Sequence, residues 1–270
     1  MSRDRSLPIF ELQPSFLEAL QGDHARIVVE APTGSGKSTQ IPQFLADSGV
    51  CDDREIYVLQ PRRLAARMLA NRVAQERGGR LGDEVGYQVR FESEISSRTK
   101  IRFVTEGILI RKLIEQPDLA DVAAVILDEF HERHFFGDIS LARCLDVQRA
   151  LRPDLKIVVM SATLETAALK KYLGDGSSHL TSDGRTFPVQ IQYEPARERH
   201  QGELWDQICR VIKDQLKSGG VQGHILVFLP GRYEIQKTVA ALKHASWSSC
   251  YEIHELYGEL SPEKQDAAVS

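Results

Sequence analysis

The sequence predicts an α/β fold in which a parallel sheet is covered by helices on both faces. The first observation is that β-rich runs alternate with helix-like stretches over residues 26–160. The second is that the predicted strands are almost continuously apolar, which is typical of strands buried on both faces. The third is a glycine-rich loop between the first strand and the next helix, because such a loop is common in this class of fold.

Each element follows from a local pattern. The five predicted strands are 26–30, 55–59, 101–104, 122–127 and 156–160. Periodic or alanine-rich stretches at 64–74 and 141–150 predict helices between them. Ligands of doubly wound sheets bind at the carboxyl ends of the strands, so the residues directly after each strand are the candidate functional ones.

The chain predicts two domains of unequal size. A first domain is predicted over 1–190, a charged connector over 191–202, and the beginning of a second α/β domain over 203–270. In the second part, a helix at 203–217 precedes strands at 224–229 and 251–256, with a helix at 234–243 between them. Two strands cannot form a stable parallel domain, so we expect the second domain to be truncated in this chain.

Composition excludes several classes of protein. Hydrophobic residues make up 42% and charged residues 27% of the chain, which is typical of a soluble globular protein. No apolar run approaches the length of a membrane span, and the N-terminus does not resemble a secretory signal. The four cysteines, Cys51, Cys144, Cys209 and Cys250, lie far apart without CxxC spacing. These features predict a cytoplasmic protein with no membrane partner and exclude a disulfide scaffold or zinc ribbon.

Charge is unevenly distributed. The net charge is -4, yet residues 61–80 carry six arginines and a single acid, Glu76. A basic stretch on an acidic protein can mark a contact with a polyanion, although a solvated helix face gives the same pattern.

Residues 31–39, Ala-Pro-Thr-Gly-Ser-Gly-Lys-Ser-Thr, follow the first strand and open a helix. In a P-loop, glycines let backbone N–H groups wrap phosphate oxygens, Lys37 reaches the β- and γ-phosphates, and Ser38 ligates magnesium. Ala31 stands where the strict pattern has glycine, but the GSGKST core is intact. We therefore predict a P-loop rather than an incidental turn. Its nucleotide-binding residues are Thr33, Gly34, Ser35, Gly36, Lys37, Ser38 and Thr39.

Two carboxylates, Asp128 and Glu129, directly follow the apolar strand at 122–127. Asp128 is placed to hold magnesium, and Glu129 to orient and deprotonate the attacking water. Alone, this pair could be a helix cap, but a P-loop in the same sheet favours catalysis. We predict Lys37, Asp128 and Glu129 as catalytic residues, and Ser38 and Asp128 as magnesium ligands.

The order of the remaining motifs carries a family resemblance. After GSGKST come PRRLAA at 61–66, TEGIL at 105–109, DEFHER at 128–133, SAT at 161–163, LPG at 229–231 and LYGELS at 256–261. This series resembles the DEAH-box superfamily 2 ATP-dependent helicases, and DEFHER is most similar to the bacterial HrpB type. The resemblance extends from about Phe10 to the end of the chain.

The resemblance implies a RecA-like P-loop NTPase lobe over 1–190 and the N-terminal part of a second RecA-like lobe over 203–270. It implies ATP and Mg²⁺ as cofactors and single-stranded nucleic acid, RNA in preference to DNA, as the partner, with movement from 3′ to 5′. The implied nucleic-acid contacts are Arg62, Arg63, Thr105, Glu106, Gly107, Pro230 and Gly231. His131, Ser161 and Thr163 are expected to couple nucleotide state to strand binding, and Arg72 to stack on adenine.

One departure affects the expected activity. The family's second lobe supplies arginine fingers, but no QxxGRxGR-like run occurs in this sequence. An arginine finger is worth about 10³ to 10⁵ in rate in related phosphoryl-transfer enzymes. We therefore expect this chain to bind Mg-ATP but to hydrolyse it slowly and not to unwind duplexes.

Two other functions remain open at this point. A P-loop kinase or other small-molecule NTPase would have a substrate lid and no RNA dependence, and it leaves the motifs at 61–66 and 105–109 without a role. A non-catalytic nucleic-acid-binding scaffold would keep the P-loop idle. The intact residues Lys37, Asp128 and Glu129 argue against the scaffold.

Overall fold

A computed structural model describes residues 3–162, 166–184, 189–193, 203–219, 221 and 223–269. Contacts divide the chain into two compact units, residues 1–188 and residues 189–270. The division lies close to the end of the predicted first domain. No helix in the described ranges is long and apolar enough to cross a membrane, and all four cysteines are free thiols.

The first unit is built on one eight-stranded sheet with the strand order β4-β3-β5-β2-β6-β7-β1-β8. The strands are β1 (Arg26–Glu30), β2 (Glu55–Gln60), β3 (Val85–Val89), β4 (Glu92–Glu94), β5 (Ile101–Thr105), β6 (Val122–Leu127), β7 (Lys156–Ser161) and β8 (Ser178–Thr181). Every neighbouring pair is parallel except β3 and β4, which are antiparallel. The predicted parallel sheet is confirmed, and all five predicted strands are present.

Helices cover both faces of this sheet. They are α1 (Gln13–Ala19), α2 (Lys37–Asp47), α3 (Arg63–Glu76), α4 (Glu106–Glu115), α5 (Phe135–Ala150) and α6 (Thr166–Leu173), with 3₁₀ turns at Pro8–Leu12 and Phe130–Glu132. One buried cluster joins Ile27 and Val29 to residues of α1, α2 and α3. The other joins Val28 to residues of α4, α5 and α6. Successive residues of β1 thus enter opposite cores, which explains why its sequence is apolar throughout.

Three strands were not predicted from the sequence, and each has a physical reason. β3 contains Gly86, which weakens a strand pattern. The structure requires this glycine because a Cβ there would lie 2.3 Å from the Glu94 carbonyl oxygen of β4. β4 and β8 are short, polar edge strands whose sequences carry little apolar signal.

The second unit is helical in its described residues. It contains α7 (Leu204–Lys217), α8 (Arg232–His244) and α9 (Pro262–Ala267), and α7 packs against α8. The predicted strands at 224–229 and 251–256 are wrong, since these described residues form no strand. Leu226 and Phe228 are 72% and 87% exposed. An apolar run becomes a strand only where a neighbouring strand pairs with it and covers it.

Candidate active site at the carboxyl edge of the sheet

The predicted P-loop connects β1 to α2 and has the backbone geometry that its glycines allow. Gly34 and Gly36 have φ angles of 84° and 93°, in the left-handed region that glycine adopts without strain. The Gly36 carbonyl accepts hydrogen bonds from the N–H groups of Thr39 (3.2 Å) and Gln40 (2.9 Å), which starts α2. The first N–H groups of a helix have no acceptor within it, and together they favour a bound anion.

Lys37 joins the P-loop to the acidic end of β6. Its side chain is only 4% exposed, and Nζ lies 3.5 Å from Oε1 of Glu129. A buried ammonium group needs an anionic partner. In the described structure Glu129 serves as that partner, at the position where a phosphate would compete for the same lysine.

Asp128 is fixed in orientation by several hydrogen bonds. Its backbone N–H donates to the Leu59 carbonyl (3.1 Å). Its carboxylate accepts from Gln60 Nε2 at 2.6 Å and from the backbone N–H of Glu129 at 2.9 Å. Burial raises the pKa of Asp128, and the nearby Ser38 hydroxyl and the Gln60 amide oppose that rise.

Glu129 has a left-handed backbone, with φ 51°, which is uncommon for a residue other than glycine. Its carboxylate lies between Lys37 and His131, whose Nδ1 is 3.4 Å from Oε2. His131 Nδ1 is buried and has no hydrogen-bond partner. The strained backbone therefore holds the carboxylate between two basic groups at the edge of the sheet.

The residues present fit a magnesium-bound nucleoside triphosphate. The Ser38 hydroxyl and the Asp128 carboxylate lie near each other, and oxygen ligands of this kind are those that Mg²⁺ prefers. The buried Ser35 hydroxyl has no hydrogen-bond partner. No atom lies within 4 Å of the place where a Cβ of Gly34 would be. The loop therefore offers a hydroxyl group that can bond to a ligand and open space beside Gly34 for that ligand.

The motifs implied to contact nucleic acid meet the acidic strand end around a cavity of about 10 Å³, near the smallest volume that holds one water. It is lined by Leu59 and Pro61 at the end of β2, by Glu106 of α4, and by residues 127–130, 133, 134 and 137. Arg62 and Arg63 are exposed at the start of α3. Thr105, Glu106 and Gly107 begin α4, and burial raises the pKa of Glu106.

The remaining predicted residues lie in three places. Ser161 ends β7, and its carbonyl accepts from the N–H of Ala31 (3.0 Å) at the start of the P-loop. Arg72 on α3 pairs with Glu76 at 2.7 Å, and Glu76 also accepts from two glutamines of α2. Pro230 and Gly231 belong to the second unit, directly before α8. Thr163 lies outside the described residues.

Gln60 is a site residue that the sequence analysis did not identify. It ends β2, which pairs with β6, and its side chain is buried against Asp128. The sequence signal that could have identified Gln60 is its position, since it is a polar residue at the carboxyl end of the strand that pairs with β6.

Comparisons with known proteins agree with this geometry. The model of the DEAD/DEAH box helicase family matches residues 10–171. The ATP-dependent RNA helicase HrpB of Escherichia coli is 40% identical over 266 residues, and HrpA of Borreliella burgdorferi is 35% identical over 263 residues. These matches cover 98% and 97% of this chain but 32% of each relative, so the chain spans about a third of their length.

Solved structures give the same result. The crystal structure of the Escherichia coli DEAH/RHA helicase HrpB superposes with a TM-score of 0.82 at 38% identity, covering 97% of this chain and 33% of that one. A second crystal structure, of the Escherichia coli DExH-box NTPase HrpB, has a TM-score of 0.73 at 38% identity and covers all of this chain and 32% of that one. The family match covers more than half of the sequence and includes the P-loop and the acidic end of β6. This chain therefore belongs to the DEAD/DEAH box helicase family.

Proposed function

We propose that this chain carries the ATP-binding and hydrolysing lobe of a nucleic-acid-dependent ATPase of the helicase type, with single-stranded RNA as its strand. The observation that carries the proposal is the convergence of Lys37, Ser38, Asp128 and Glu129 at the carboxyl edge of one sheet. Lys37 Nζ lies 3.5 Å from Glu129, and the Ser38 hydroxyl lies close enough to Asp128 to oppose the rise in the pKa of that carboxyl group. Both contacts join the P-loop to the acidic strand end.

The roles of these residues follow from their chemistry. Residues 33–39 bind the phosphates through backbone N–H groups, and Lys37 neutralises the terminal ones. Ser38 and Asp128 hold Mg²⁺, which supplies positive charge to the β- and γ-phosphate oxygens when bound. Glu129 orients the water and accepts its proton. His131, whose Nδ1 lies 3.4 Å from Glu129, couples the nucleotide state to strand binding.

Two observations support strand binding: the positive charge of the arginines at 62 and 63, and the names of the relatives. Arg62 and Arg63, with Thr105 to Gly107, bind the sugar-phosphate backbone without reading bases, so affinity falls as salt rises. HrpB and HrpA are named ATP-dependent RNA helicases, which supports RNA over DNA. Pro230 and Gly231 extend the strand contacts to the second unit, Ser161 and Thr163 couple nucleotide state to the strand, and Arg72 stacks on adenine.

The test is Mg-nucleotide binding and ATP hydrolysis by this chain, with and without single-stranded RNA. We expect Lys37→Ala to weaken Mg-ATP binding by about tenfold or more, because it removes a buried cation opposite the phosphates. Lys170→Ala, on the exposed side of α6, is the matched control and should bind as the wild type does. Equal Mg-ATP binding by wild type and Lys37→Ala would contradict the proposed site.

The Glu129→Gln variant separates binding from chemistry. It should still bind Mg-ATP, yet single-turnover hydrolysis should fall by about 10² or more, since an amide cannot accept the proton of water. Unaltered turnover in Glu129→Gln would instead favour a non-catalytic scaffold. Turnover that RNA leaves unchanged would favour a small-molecule NTPase.

A further inference from the structure

An ion pair connects one of the proposed RNA-binding arginines to the acidic strand end. Arg62 Nη2 lies 2.9 Å from Oε1 of Glu132, with the arginine side chain 72% exposed and the glutamate side chain 25% exposed. Glu132 ends the 3₁₀ turn Phe130–Glu132, which directly follows Asp128 and Glu129. The proposed phosphate-binding cation is therefore occupied by a carboxylate of the hydrolytic segment.

The two partners are held very differently. The second oxygen of Glu132 lies 3.3 Å from Nε2 of His134, whose Nδ1 is 3.6 Å from Glu106. Glu132 thus keeps a second contact when Arg62 leaves. Arg62 has no other ion-pair partner among the described residues, and its exposed side chain can swing away. The pair therefore opens by movement of the arginine and not of the glutamate.

The backbone of this arginine is also held close to the same segment. Gln60, two residues before it, donates a hydrogen bond to Asp128 at 2.6 Å. The short segment 60–62 consequently contacts the segment 128–132 at two points, through Gln60 and through Arg62. Of these two contacts, only the Arg62–Glu132 ion pair is exposed enough for solvent or a ligand to replace one of the partners.

A phosphate group is a suitable competitor for this pair. Exposed ion pairs contribute little to stability because water and salt screen them. A guanidinium group forms bidentate, charge-assisted hydrogen bonds with phosphate as readily as with a carboxylate. An RNA phosphate that reaches Arg62 therefore replaces Glu132 at small cost, but must compete with it.

We propose that Glu132 is a positioning residue that competes with RNA phosphate for Arg62 and so lowers the affinity of this lobe for the strand. The proposal rests on the proposed function, in which Arg62 contacts the RNA backbone. It adds that the hydrolytic segment itself supplies the competing anion. A helicase lobe must release its strand repeatedly, and a tethered competitor favours that release.

The experiment measures binding of a fluorescein-labelled single-stranded RNA to the full chain by anisotropy, across a series of salt concentrations. Glu132→Gln removes the competing charge, so RNA should bind about two- to fivefold more tightly, which is the range expected for an exposed pair. In an Arg62→Ala background the same change should have no effect, because the arginine is gone. This double-mutant cycle is a readout that a purely structural role of Glu132 would not produce.

Glu115→Gln is the matched control. Glu115 pairs with Arg111 at 2.7 Å on the exposed surface of α4, at the end of that helix away from the site. The Glu115→Gln variant loses the same charge from a pair with an arginine, and it should leave RNA affinity unchanged. A gain shared by Glu115→Gln would show a general charge effect and would overturn the proposal.

Failure of this inference can be told apart from failure of the proposed function. A wild-type chain that binds no RNA contradicts the proposed function. A wild-type chain that binds RNA, with Glu132→Gln unchanged or equally effective without Arg62, overturns only the role of Glu132. Glu132→Ala should repeat the gain, and thermal unfolding of each variant establishes that it is folded.

Discussion

Gly36 is glycine for two separate reasons. Its φ of 93° lies in the left-handed region, and a Cβ there would lie 2.8 Å from Cδ1 of Leu7 and 3.3 Å from Cγ2 of Ile9. The residue therefore fixes both the turn of the P-loop and the close approach of the 3₁₀ turn Pro8–Leu12. Sequence patterns identify the first reason but not the second.

We predict that Gly36→Ala destabilises the first unit more than Gly49→Ala. Both positions have positive φ, which costs about 1–2 kcal/mol for alanine. Gly49 has nothing within 4 Å of its Cβ position, so only Gly36→Ala adds a steric clash, worth roughly 1 kcal/mol or more. Urea unfolding measures the difference, and Mg-ATP titration should show weaker binding for Gly36→Ala alone. Equal losses of stability would mean that Leu7 moves aside freely.

A second prediction concerns Gln60. Replacing it in Gln60→Leu removes the 2.6 Å hydrogen bond to Asp128, so the magnesium-binding carboxylate loses an orienting partner. Loss of such outer contacts typically costs about 10- to 100-fold in metal affinity or activity. The Mg²⁺ concentration that half-saturates ATP binding should rise correspondingly. Gln75→Leu, an exposed change on α3, is the control, and an unshifted Mg²⁺ dependence in Gln60→Leu argues against the role.

Much of the candidate site could be predicted residue by residue, and the exceptions have a common cause. Lys37, Asp128 and Glu129 could be found because a motif or a strand end marks each position. Gln60 and Glu132 instead contact side chains of other segments, Asp128 and Arg62. Their importance depends on the pairing of β2 with β6, which no spacing in the sequence records.

At the scale of elements, one glutamine ties α5 to the amino ends of two adjacent strands. Gln148 Nε2 donates to the carbonyls of Ala25 (3.2 Å) and Leu155 (2.6 Å), just before β1 and β7. Its Oε1 accepts from Arg26 Nε at 2.6 Å. The two bonds to carbonyls are buried, so solvent does not readily replace them.

We therefore predict that Gln148→Leu destabilises the first unit by about 3 kcal/mol, because it leaves the Leu155 carbonyl and the Arg26 Nε–H without these partners, while the Ala25 carbonyl keeps the Ile157 N–H. Chemical denaturation followed by circular dichroism measures the loss. Gln21→Leu provides the comparison, since Gln21 is exposed and donates only to the Leu17 carbonyl. A loss no larger than that of Gln21→Leu would show that the strand ends find other donors.

The success of the strand predictions depended on burial. Strands β1, β2, β5, β6 and β7 lie inside the sheet, and their apolar sequences reflect contact with both layers of helices. The edge strands β4 and β8 are short and polar, and β3, although it lies inside the sheet and is mostly buried, is interrupted by Gly86. Residues 224–229 have an apolar sequence that predicts a strand. In the described second unit, however, no neighbouring strand pairs with them, and they form none.

At the scale of the whole molecule, acid stability should depend on ion pairs far from the site. The hydrogen bond from Arg152 lowers the pKa of Asp154 well below its usual range, and Arg54 adds to this effect. A carboxylate with a lowered pKa in the folded state stabilises the protein above the pKa of the unfolded chain, about 4. That contribution is lost as the pH falls further.

Accordingly, the Asp154→Asn variant should be less stable than the wild type near neutral pH, and the difference should shrink as the pH falls below about 4. Urea unfolding of both proteins at several pH values gives the curve. Asp175→Asn serves as the reference, since Asp175 is exposed and has no ion pair among the described residues. A difference that stays constant with pH would place the effect of Asp154 in packing and not in charge.

The two ends of the sheet affect how molecules of this protein meet one another. The sheet ends at β4, whose three residues are Glu-Ser-Glu and whose direction is reversed, and at β8, a four-residue polar strand. Open edges of long apolar strands template aggregation, whereas short, charged or reversed edges resist it. These edges therefore keep the sheet of one molecule from pairing with the sheet of another. A concentrated solution of this unit should therefore resist fibril formation.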